Sequence, residues 1–472
     1  MARARISFLS DAEKGDLHEQ TLDVLEHTGI AFNTPQALDL LEEAGAAVDR
    51  DTLTARVPRA LVESCLESTP RRVLLAARDP GRDVIVGDGS LTFTSDGTAT
   101  YVLDDATGER HDGSAADLRT IMALLDAMPN CDYVWPTISA RDLDPVTANL
   151  EIEALSFASC AKHVQDEVRG PEFVAPLLEM FAAVAGAPVR ERPVFSAINC
   201  TIAPLQHDAP MTEASIALAR AGVPIVIMPM PLMGTTAPMS IAATTVITMA
   251  ELLSAVVLLQ LAAPGCPLIA APEPAVADLR SGLYLCGPPE LALMSLACIE
   301  MCKHYGLPTQ GQGFGSDGKA ADFQEAAEGM AAGLTGALVG ADSLVGLGTF
   351  DGAQGTSLAK IVLDDDAAGL VKRLVEEVPF TAAEALLGDI GEVGPGGHFL
   401  ARRSTRERRR GGVWQPQVFR RGTFESCRGR AVVADALERA YDLLAAHEVL
   451  PLPDDVQREL ASIATAFRRV AS

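Results

Sequence analysis

From about residue 116 onward, short strand-like runs alternate with longer helix-like runs along the chain. The strand-like runs recur at intervals of roughly 30 to 40 residues, the length that a strand–helix–strand unit requires. This rhythm predicts a parallel sheet with helices on its outside. Seven or eight such units in about 280 residues favour a closed (β/α)8 barrel over an open, doubly wound sheet. The seven predicted strands are 132–137, 162–167, 193–199, 223–230, 266–272, 307–312 and 342–348.

The barrel needs an eighth strand, and the sequence offers two sources for it. One is 396–400 (GGHFL), and the other is the region before residue 132. Residues 1–115 are predicted to form an N-terminal cap of helices and small antiparallel hairpins, and residues 116–400 the barrel. Residues 401–472 hold an Arg-rich segment and two amphipathic helices, which are expected to pack on the outside of the barrel.

Charge and composition exclude several classes of function. A net charge of −25 argues against nucleic acid or an anionic membrane as the main partner, because phosphate selects for the opposite sign. The longest apolar run, 252–263, is too short to span a bilayer, and the N-terminus lacks a signal-peptide core. Nine cysteines without a C-x-x-C motif and eight scattered histidines predict reduced thiols and no metal site. We therefore expect a cytoplasmic protein.

The segment GFGSDG (313–318) fits the G-x-G-x-x-G pattern of dinucleotide-binding loops, and Asp342 follows at the offset of a ribose contact. A dinucleotide fingerprint, however, lies in the first βαβ unit of an open sheet, after an apolar strand. Here the motif follows GLPTQGQ in a late unit, and its helix is rich in acidic residues. We interpret it as a barrel loop whose glycines let the backbone approach a ligand or partner. An NAD-dependent oxidoreductase is an alternative that rests on this motif alone.

Several long segments, in the same order, resemble the trimethylamine methyltransferase family nearly from end to end. They include VLEHTGIAF, TSDGTATYVLDDATGERHDGSAADL, MPMPLMGTTAPMS, GPPELALMSLACIEMCKHYGLPTQGQGFGSDGKAADFQEAAEGM and GGHFLARRSTRERRRGGVWQPQVF. The resemblance implies a TIM-barrel enzyme that demethylates a quaternary amine such as glycine betaine. The methyl group would pass to the Co(I) of a corrinoid protein that docks over the barrel mouth, so this chain would bind no cofactor tightly. The chain contains no pyrrolysine, which argues against trimethylamine as substrate.

A quaternary nitrogen leaves as a neutral tertiary amine, so the reaction needs neither a general acid nor a metal at the nitrogen. The protein must orient the C–N bond and accept a permanent cation, for which aromatic faces and a carboxylate are suited. We assign no catalytic residue. Barrel sites lie at the carboxyl ends of the strands, and this selects the substrate-binding candidates. They are Tyr133, Trp135, Glu273, Gln310, Gln312, Phe314, Asp317 and Phe350.

Several of these residues also have structural interpretations. Trp135 is equally well explained by packing under the N-terminal cap, and Asp317 by capping the next helix. Glu167 is better explained as the solvated start of a helix, whereas Asp351 is a second candidate counter-charge. Met228 to Met233 is better explained as a proline-stiffened core loop than as a wall for N-methyl groups.

The Arg-rich segment contains the predicted partner-docking residues Arg402, Arg403 and Arg406. It would dock an acidic partner, bind a phosphate-bearing cofactor tail, or pair with acidic surface in a homo-oligomer, and the last is favoured. Two alternative functions stay open. One is the same demethylation with a folate or another acceptor, and the other is a non-catalytic protein that binds quaternary amines or a corrinoid protein.

Overall fold

A closed barrel of eight parallel strands forms the centre of the protein, in a computed structural model that describes residues 2–471. The predicted (β/α)8 barrel is confirmed, and all seven predicted strands belong to it. The strand β2 consists of two bridged residues, 133 and 134. The other strands are β1 (Thr92–Ser95), β3 (Val164–Glu167), β4 (Phe195–Cys200), β5 (Ile225–Met228), β6 (Leu268–Ala270), β7 (Gln310–Gln312) and β8 (Ser343–Leu347).

The barrel closes between its first and last strands. Ser343 of β8 pairs in parallel with Thr92 of β1, and Thr94 of β1 bridges to Tyr133 of β2. The eighth strand therefore comes from the region before residue 132, and 396–400 forms no strand. The first barrel strand therefore lies within residues 1–115, the region that was predicted as the N-terminal cap.

One helix follows each barrel strand, and local capping explains where several of them begin and end. The Ser357 hydroxyl accepts from the amide of Lys360 at 3.2 Å and starts the helix after β8. Gly222 and Gly340 end helices with φ of 88° and 103°, a conformation that glycine adopts without strain. The eight helices are Ala115–Ala127, Ala148–Ser159, Val174–Ala185, Ala209–Ala221, Ile241–Ala262, Pro289–His304, Phe323–Val339 and Leu358–Val375.

The apolar run at 252–263 covers the second half of a long helix and its C-cap. Ile241–Ala262 has 22 residues, and by length and composition alone it would be long enough to cross a membrane. Its apolar window is 78% buried inside the protein. It packs against the helices Asp11–Asp23, Arg59–Ser68 and Pro289–His304. This burial explains why the helix is apolar on all sides.

The N-terminal cap is joined to the barrel rather than separate from it. Its strand Ile30–Phe32 pairs in parallel with Gln206–His207, which belongs to the loop after β4. A hairpin of Val73–Leu75 and Val84–Val86 packs against side chains inside the barrel, including Ile198 and Ile269. The other elements of this region are Asp11–Asp23, Val24–Thr28, Pro35–Glu43, Ala47–Asp49, Thr54–Arg56, Arg59–Ser68 and Pro80–Arg82.

The last two helices pack on the outside of the barrel, as predicted. Val432–Ala446 lies against Leu358–Val375, and Asp454–Ala471 lies against Val174–Ala185. The ring of His447 contacts the buried carboxylate of Asp126 at 2.7 Å and ties this region to the barrel. The segment 376–431 connects the last barrel helix to these two helices along the chain and is mostly exposed. It contains the short helices Leu387–Val393, Arg403–Arg408 and Phe424–Cys427.

Candidate functional site

A cavity of about 270 Å³ lies at the carboxyl ends of the barrel strands. Every barrel strand contributes to its wall, directly or through the residues that follow it. Two small sheets at the mouth complete the enclosure. The wall includes Asp96, Gly97, Trp135, Glu167, Cys200, Met228, Met230, Glu273, Gln312, Val345 and Gly346.

One of these sheets, Leu232–Met233, Ala275–Ala277 and Tyr284–Leu285, brings Tyr284 into the cavity wall. The second contains Tyr101–Leu103, Arg110–Asp112, Thr349–Phe350 and Gly355–Thr356. The turn inside this second sheet, residues 352–354, also lines the cavity. The Tyr101 hydroxyl donates to Asp351 at 2.9 Å and holds that turn in place.

The orientation of Trp135 is fixed by contacts on three sides. Its indole Nε1 donates a 2.9 Å hydrogen bond to Oδ1 of Asp166. Its backbone N–H donates to the Ser95 hydroxyl at 2.8 Å, which ties it to β1. Gly97 lies directly against the ring, since a Cβ at this position would lie 2.1 Å from the indole. The aromatic wall of the cavity is therefore held before any ligand arrives.

A second carboxyl group lies behind Asp166. Glu153, on the helix Ala148–Ser159, is fully buried, and its carboxyl group interacts with that of Asp166. Burial and the neighbouring charge of Asp166 raise the pKa of Glu153 well above its usual range. Burial also raises the pKa of Asp166. The ionised form of Glu153 is therefore disfavoured, and Oδ1 of Asp166 accepts the hydrogen bond from the indole.

Three further carboxyl groups line the cavity itself. Burial, together with the charge of Asp96, raises the pKa of Glu273 to about 8. Burial also raises the pKa of Asp96, although the Thr349 hydroxyl donates to it at 2.6 Å. The pKa of Glu167 is raised by burial and by Asp166. A positive charge in the cavity would stabilise the ionised forms of all three groups.

Three of the predicted site residues, Trp135, Glu273 and Gln312, meet in this cavity. Tyr133 and Gln310 do not line it, because both are buried inside the barrel. The Tyr133 hydroxyl donates to Oε1 of Gln310 at 2.9 Å and lies 2.7 Å from the Ser343 hydroxyl. These two side chains form a polar layer of the barrel interior.

Phe314 and Phe350 do not line the cavity either. Phe314 is buried against Phe93, with ring centroids 5.7 Å apart, beneath the helix Phe323–Val339. Phe350 packs edge-on against Tyr101 in the mouth sheet, at 6.2 Å. Their aromatic character serves packing, which sequence position could not distinguish from ligand contact.

Asp317 neither caps a helix nor lines the cavity. Its carboxylate accepts from the backbone amides of Cys286 and Gly287 at 2.8 and 3.0 Å, which joins the loop after β7 to the loop after β6. The helix begins only at Phe323, and Asp322 is its N-cap, accepting from the amide of Glu325 at 3.1 Å.

The glycines of GFGSDG serve mainly the close approach of two strand ends. A Cβ on Gly313 would lie 2.3 Å from the carbonyl oxygen of Val345 in β8. Gly315 does line the cavity. Asp342 lies at the opposite end of β8, where it accepts from the Lys303 ammonium at 2.7 Å and from the amide of Thr309 at 2.9 Å. The motif and Asp342 therefore do not form one site.

Asp96, Tyr284 and the role of Glu167 were not predicted from the sequence. Asp96 follows a barrel strand directly, as Glu273 nearly does, but its strand had been assigned to the N-terminal cap. Glu167 is only partly exposed and lies 3.8 Å from the Cys200 thiol, so it is not a solvated helix start. Within residues 2–471, no group of three His, Cys, Asp or Glu side chains is arranged to hold a metal ion.

The predicted docking arginines lie in the exposed segment 376–431, away from the cavity wall. Arg402 pairs with Asp389 at 2.5 Å and with Glu392 at 2.6 Å, so its guanidinium is already paired with carboxylates of the same chain. Arg403 pairs with Glu407 at 2.5 Å on the same short helix. Arg406 is exposed there.

Comparison with known proteins gives concordant matches. The sequence profile of the family described as trimethylamine methyltransferase matches residues 2–471. A trimethylamine methyltransferase of Desulfitobacterium hafniense is 30% identical over 96% of this chain and 92% of its own length. A glycine betaine methyltransferase of the same species is 27% identical over 89% of this chain and 88% of its own length. Among solved structures, the monomethylamine methyltransferase of Methanosarcina barkeri superposes with a TM-score of 0.58 and 10% identity. That superposition covers 99% of this chain and 88% of the other, and it shows a shared fold.

Proposed function

This chain belongs to the trimethylamine methyltransferase family, and we propose that it demethylates a quaternary amine and delivers the methyl group to a corrinoid protein. Relatives named for trimethylamine and for glycine betaine support methyl transfer from an amine. The observation that carries the proposal is the cavity at the barrel mouth, which Trp135 lines together with Asp96, Glu167 and Glu273. A permanent cation is the ligand that this combination favours.

The residues of the cavity have separate tasks in this reaction. Trp135, held by Asp166, receives the ammonium on its ring face. The carboxylates offset the hydration that the ammonium loses when it leaves water. Tyr284 and the turn at 352–354 narrow the mouth and exclude water around the bound amine. Because the departing amine is neutral, none of these groups has to donate a proton to it.

The methyl acceptor would come from outside the chain. A corrinoid in its Co(I) state supplies a strong nucleophile, and we propose that a partner protein presents it at the open end of the cavity. The loops after β4, β5, β6 and β7 support such a docking surface, since each of these four carries a large apolar side chain exposed to solvent. These rim residues are Ile202, Met239, Leu279, Leu283 and Phe323, with Phe323 89% exposed.

We also propose that copies of the chain associate. The segment 376–431 exposes Phe380, Leu387 and Leu400, each by more than two thirds. Exposed apolar side chains of this number on one segment are typical of a surface that is covered by another chain. A single species of one-subunit mass in sedimentation velocity would contradict this proposal.

The direct test supplies the purified chain with Co(I) cobalamin and a panel of quaternary and tertiary amines. The demethylated amine is quantified by NMR. We expect turnover of at least one quaternary amine and none of trimethylamine. Binding without turnover of any amine would favour a non-catalytic binding protein, and turnover only with a folate acceptor would reassign the methyl acceptor.

The two tryptophans provide a matched pair of variants for this test. Trp135→Ala should raise the apparent KM for the amine about 3- to 30-fold, which corresponds to a lost cation–π contact of ~0.5–2 kcal/mol. Trp414→Ala, which removes a ring that lies beside Arg421 and outside the wall of the cavity, should leave KM unchanged. Equal effects of both variants would place the amine elsewhere.

A further inference from the structure

The charged side chains that line the cavity are all acidic. Asp96, Glu167 and Glu273 line it, and among the described residues of its wall there is no Lys, Arg or His. Three cations lie nearby but outside the wall, and one of them, the exposed Lys319, pairs with Asp351 beside the turn at 352–354. Arg169 is exposed after β3, and Lys360 is fully buried and bonded to Glu325 and Asp364. The cavity therefore offers no cationic partner to an anionic group.

Two buried acceptor atoms in the wall have no hydrogen-bond partner among the described residues. They are Oε1 of Glu273 and Oε1 of Gln312. Both residues are more than nine-tenths buried, and both line the cavity. Buried acceptors of this kind call for a donor or a positive charge on the ligand.

We infer that the substrate is an ammonium compound whose only charge is the cation, such as tetramethylammonium or choline, and that carboxylated betaines are excluded. The inference rests on the proposed function and names its substrate class. In glycine betaine the carboxylate is one carbon away from the nitrogen. A cavity of about 270 Å³ would therefore enclose both charges, and the carboxylate would lie among three acidic side chains without a cation to pair with.

The protonation of Glu273 predicts the direction in which ligand affinity changes with pH. Its pKa is raised to about 8, by burial and by Asp96. The other titratable groups around it are Glu167, Cys200, Tyr284 and Cys286, and none of them supplies a positive charge. A bound cation favours the carboxylate, so its affinity should rise as the pH rises from 6.5 to 8.5. A betaine held through a protonated Glu273 would show the opposite slope.

Isothermal titration calorimetry on the full-length protein tests the inference, with tetramethylammonium chloride, choline chloride and glycine betaine as probes at pH 6.5 and 8.5. We expect tetramethylammonium or choline to bind about tenfold more tightly at pH 8.5, with net proton release. Glycine betaine should bind at least a hundredfold more weakly than the better cation. Glu273→Gln should abolish the pH dependence. Glu179→Gln, the same change on an exposed outer helix, should retain it.

Two results would overturn the inference. One is glycine betaine binding as tightly as the cations, above all with an affinity that falls as the pH rises. The other is absence of binding by both tetramethylammonium and choline. The methyl-transfer assay separates this inference from the proposed function. Binding of a cation without demethylation would contradict the function and leave the charge selection intact, whereas demethylation of glycine betaine alone would do the reverse.

Discussion

The indole of Trp135 and the carboxylate of Asp166 are joined by a 2.9 Å hydrogen bond that orients the aromatic wall of the cavity. Asp166→Ala removes this bond, and the ring should then lose its fixed orientation. We expect the Kd for tetramethylammonium to rise about 3- to 10-fold, within the ~0.5–2 kcal/mol range of a cation–π contact. Tryptophan fluorescence in a Trp414→Phe background measures it, since Trp135 is then the only tryptophan. Asp166→Asn keeps an acceptor oxygen and should retain most of the affinity; a loss as large as that of Asp166→Ala would contradict this role.

The raised pKa of Glu273 predicts how the variant Glu273→Gln changes stability with pH. In the folded protein this pKa is about 8, well above that of a glutamate in an unfolded chain. Between those two values the folded state holds a proton that the unfolded state has lost. Glu273 therefore lowers the free energy of unfolding as the pH rises. We expect Glu273→Gln to match the wild type near pH 4 and to have a higher Tm at pH 8.5, as measured by scanning calorimetry. A constant Tm difference across this pH range would rule out the titration.

A buried cluster of three charges fixes the end of β8. The Lys360 ammonium contacts Asp364 at 2.6 Å and also Glu325, and Asp364 accepts from the amide of Gly348 at 2.7 Å. Lys360→Ala leaves two buried carboxyl groups without their cation, and we expect a loss of ~3–5 kcal/mol in the free energy of unfolding. Denaturation by urea measures this loss. The triple variant Glu325→Gln, Lys360→Met, Asp364→Asn removes all three charges and should be less destabilised than Lys360→Ala. The reverse order would show that the cluster contributes net stability as ions.

The first and second glycines of GFGSDG should respond differently to alanine. In Gly313→Ala the new methyl group would meet the carbonyl oxygen of Val345 at 2.3 Å, and neither backbone can easily move. We expect a loss of ~1–3 kcal/mol in stability, as in other overpacked sites. In Gly315→Ala the nearest atom is Nε2 of Gln312 at 3.0 Å, the end of a flexible side chain. This variant should fold normally and affect only ligand binding. Equal stabilities of the two variants would contradict the packing role of Gly313.

The barrel could be predicted from the sequence because its strands and helices have local signatures. The seven strands from 133 to 347 coincide with apolar or β-rich runs between capped helices. Each lies within its predicted range except β4, which ends one residue beyond it at Cys200. The first strand could not be assigned in the same way. The residues Thr92–Ser95 look like any short hairpin strand, and only their pairing with β8 makes them part of the barrel. That pairing is a long-range contact, which local pattern does not report.

Among the residues predicted to line the cavity, the polar residues at strand ends were predicted more reliably than the aromatic residues. Trp135, Glu273 and Gln312 line the cavity because each ends a barrel strand or follows one within three residues. Phe314 and Phe350 also lie near strand ends, but their side chains point into packed layers. Whether a residue after a strand faces inward or outward depends on the twist of its loop. Asp317 shows the same limit, since the amides it binds belong to a different loop.

The closure of the barrel by β1 and β8 affects how the protein folds during its synthesis. These strands lie about 250 residues apart, and folding rates fall when native contacts join distant parts of a chain. During synthesis, β1 leaves the ribosome long before its partner exists. Asp96, just after β1, obtains its hydrogen bond from Thr349, just after β8, only once more than 250 further residues have been synthesised. The acidic wall of the cavity is thus among the last parts to form, and a chain shortened before residue 343 should expose an unpaired strand edge and aggregate.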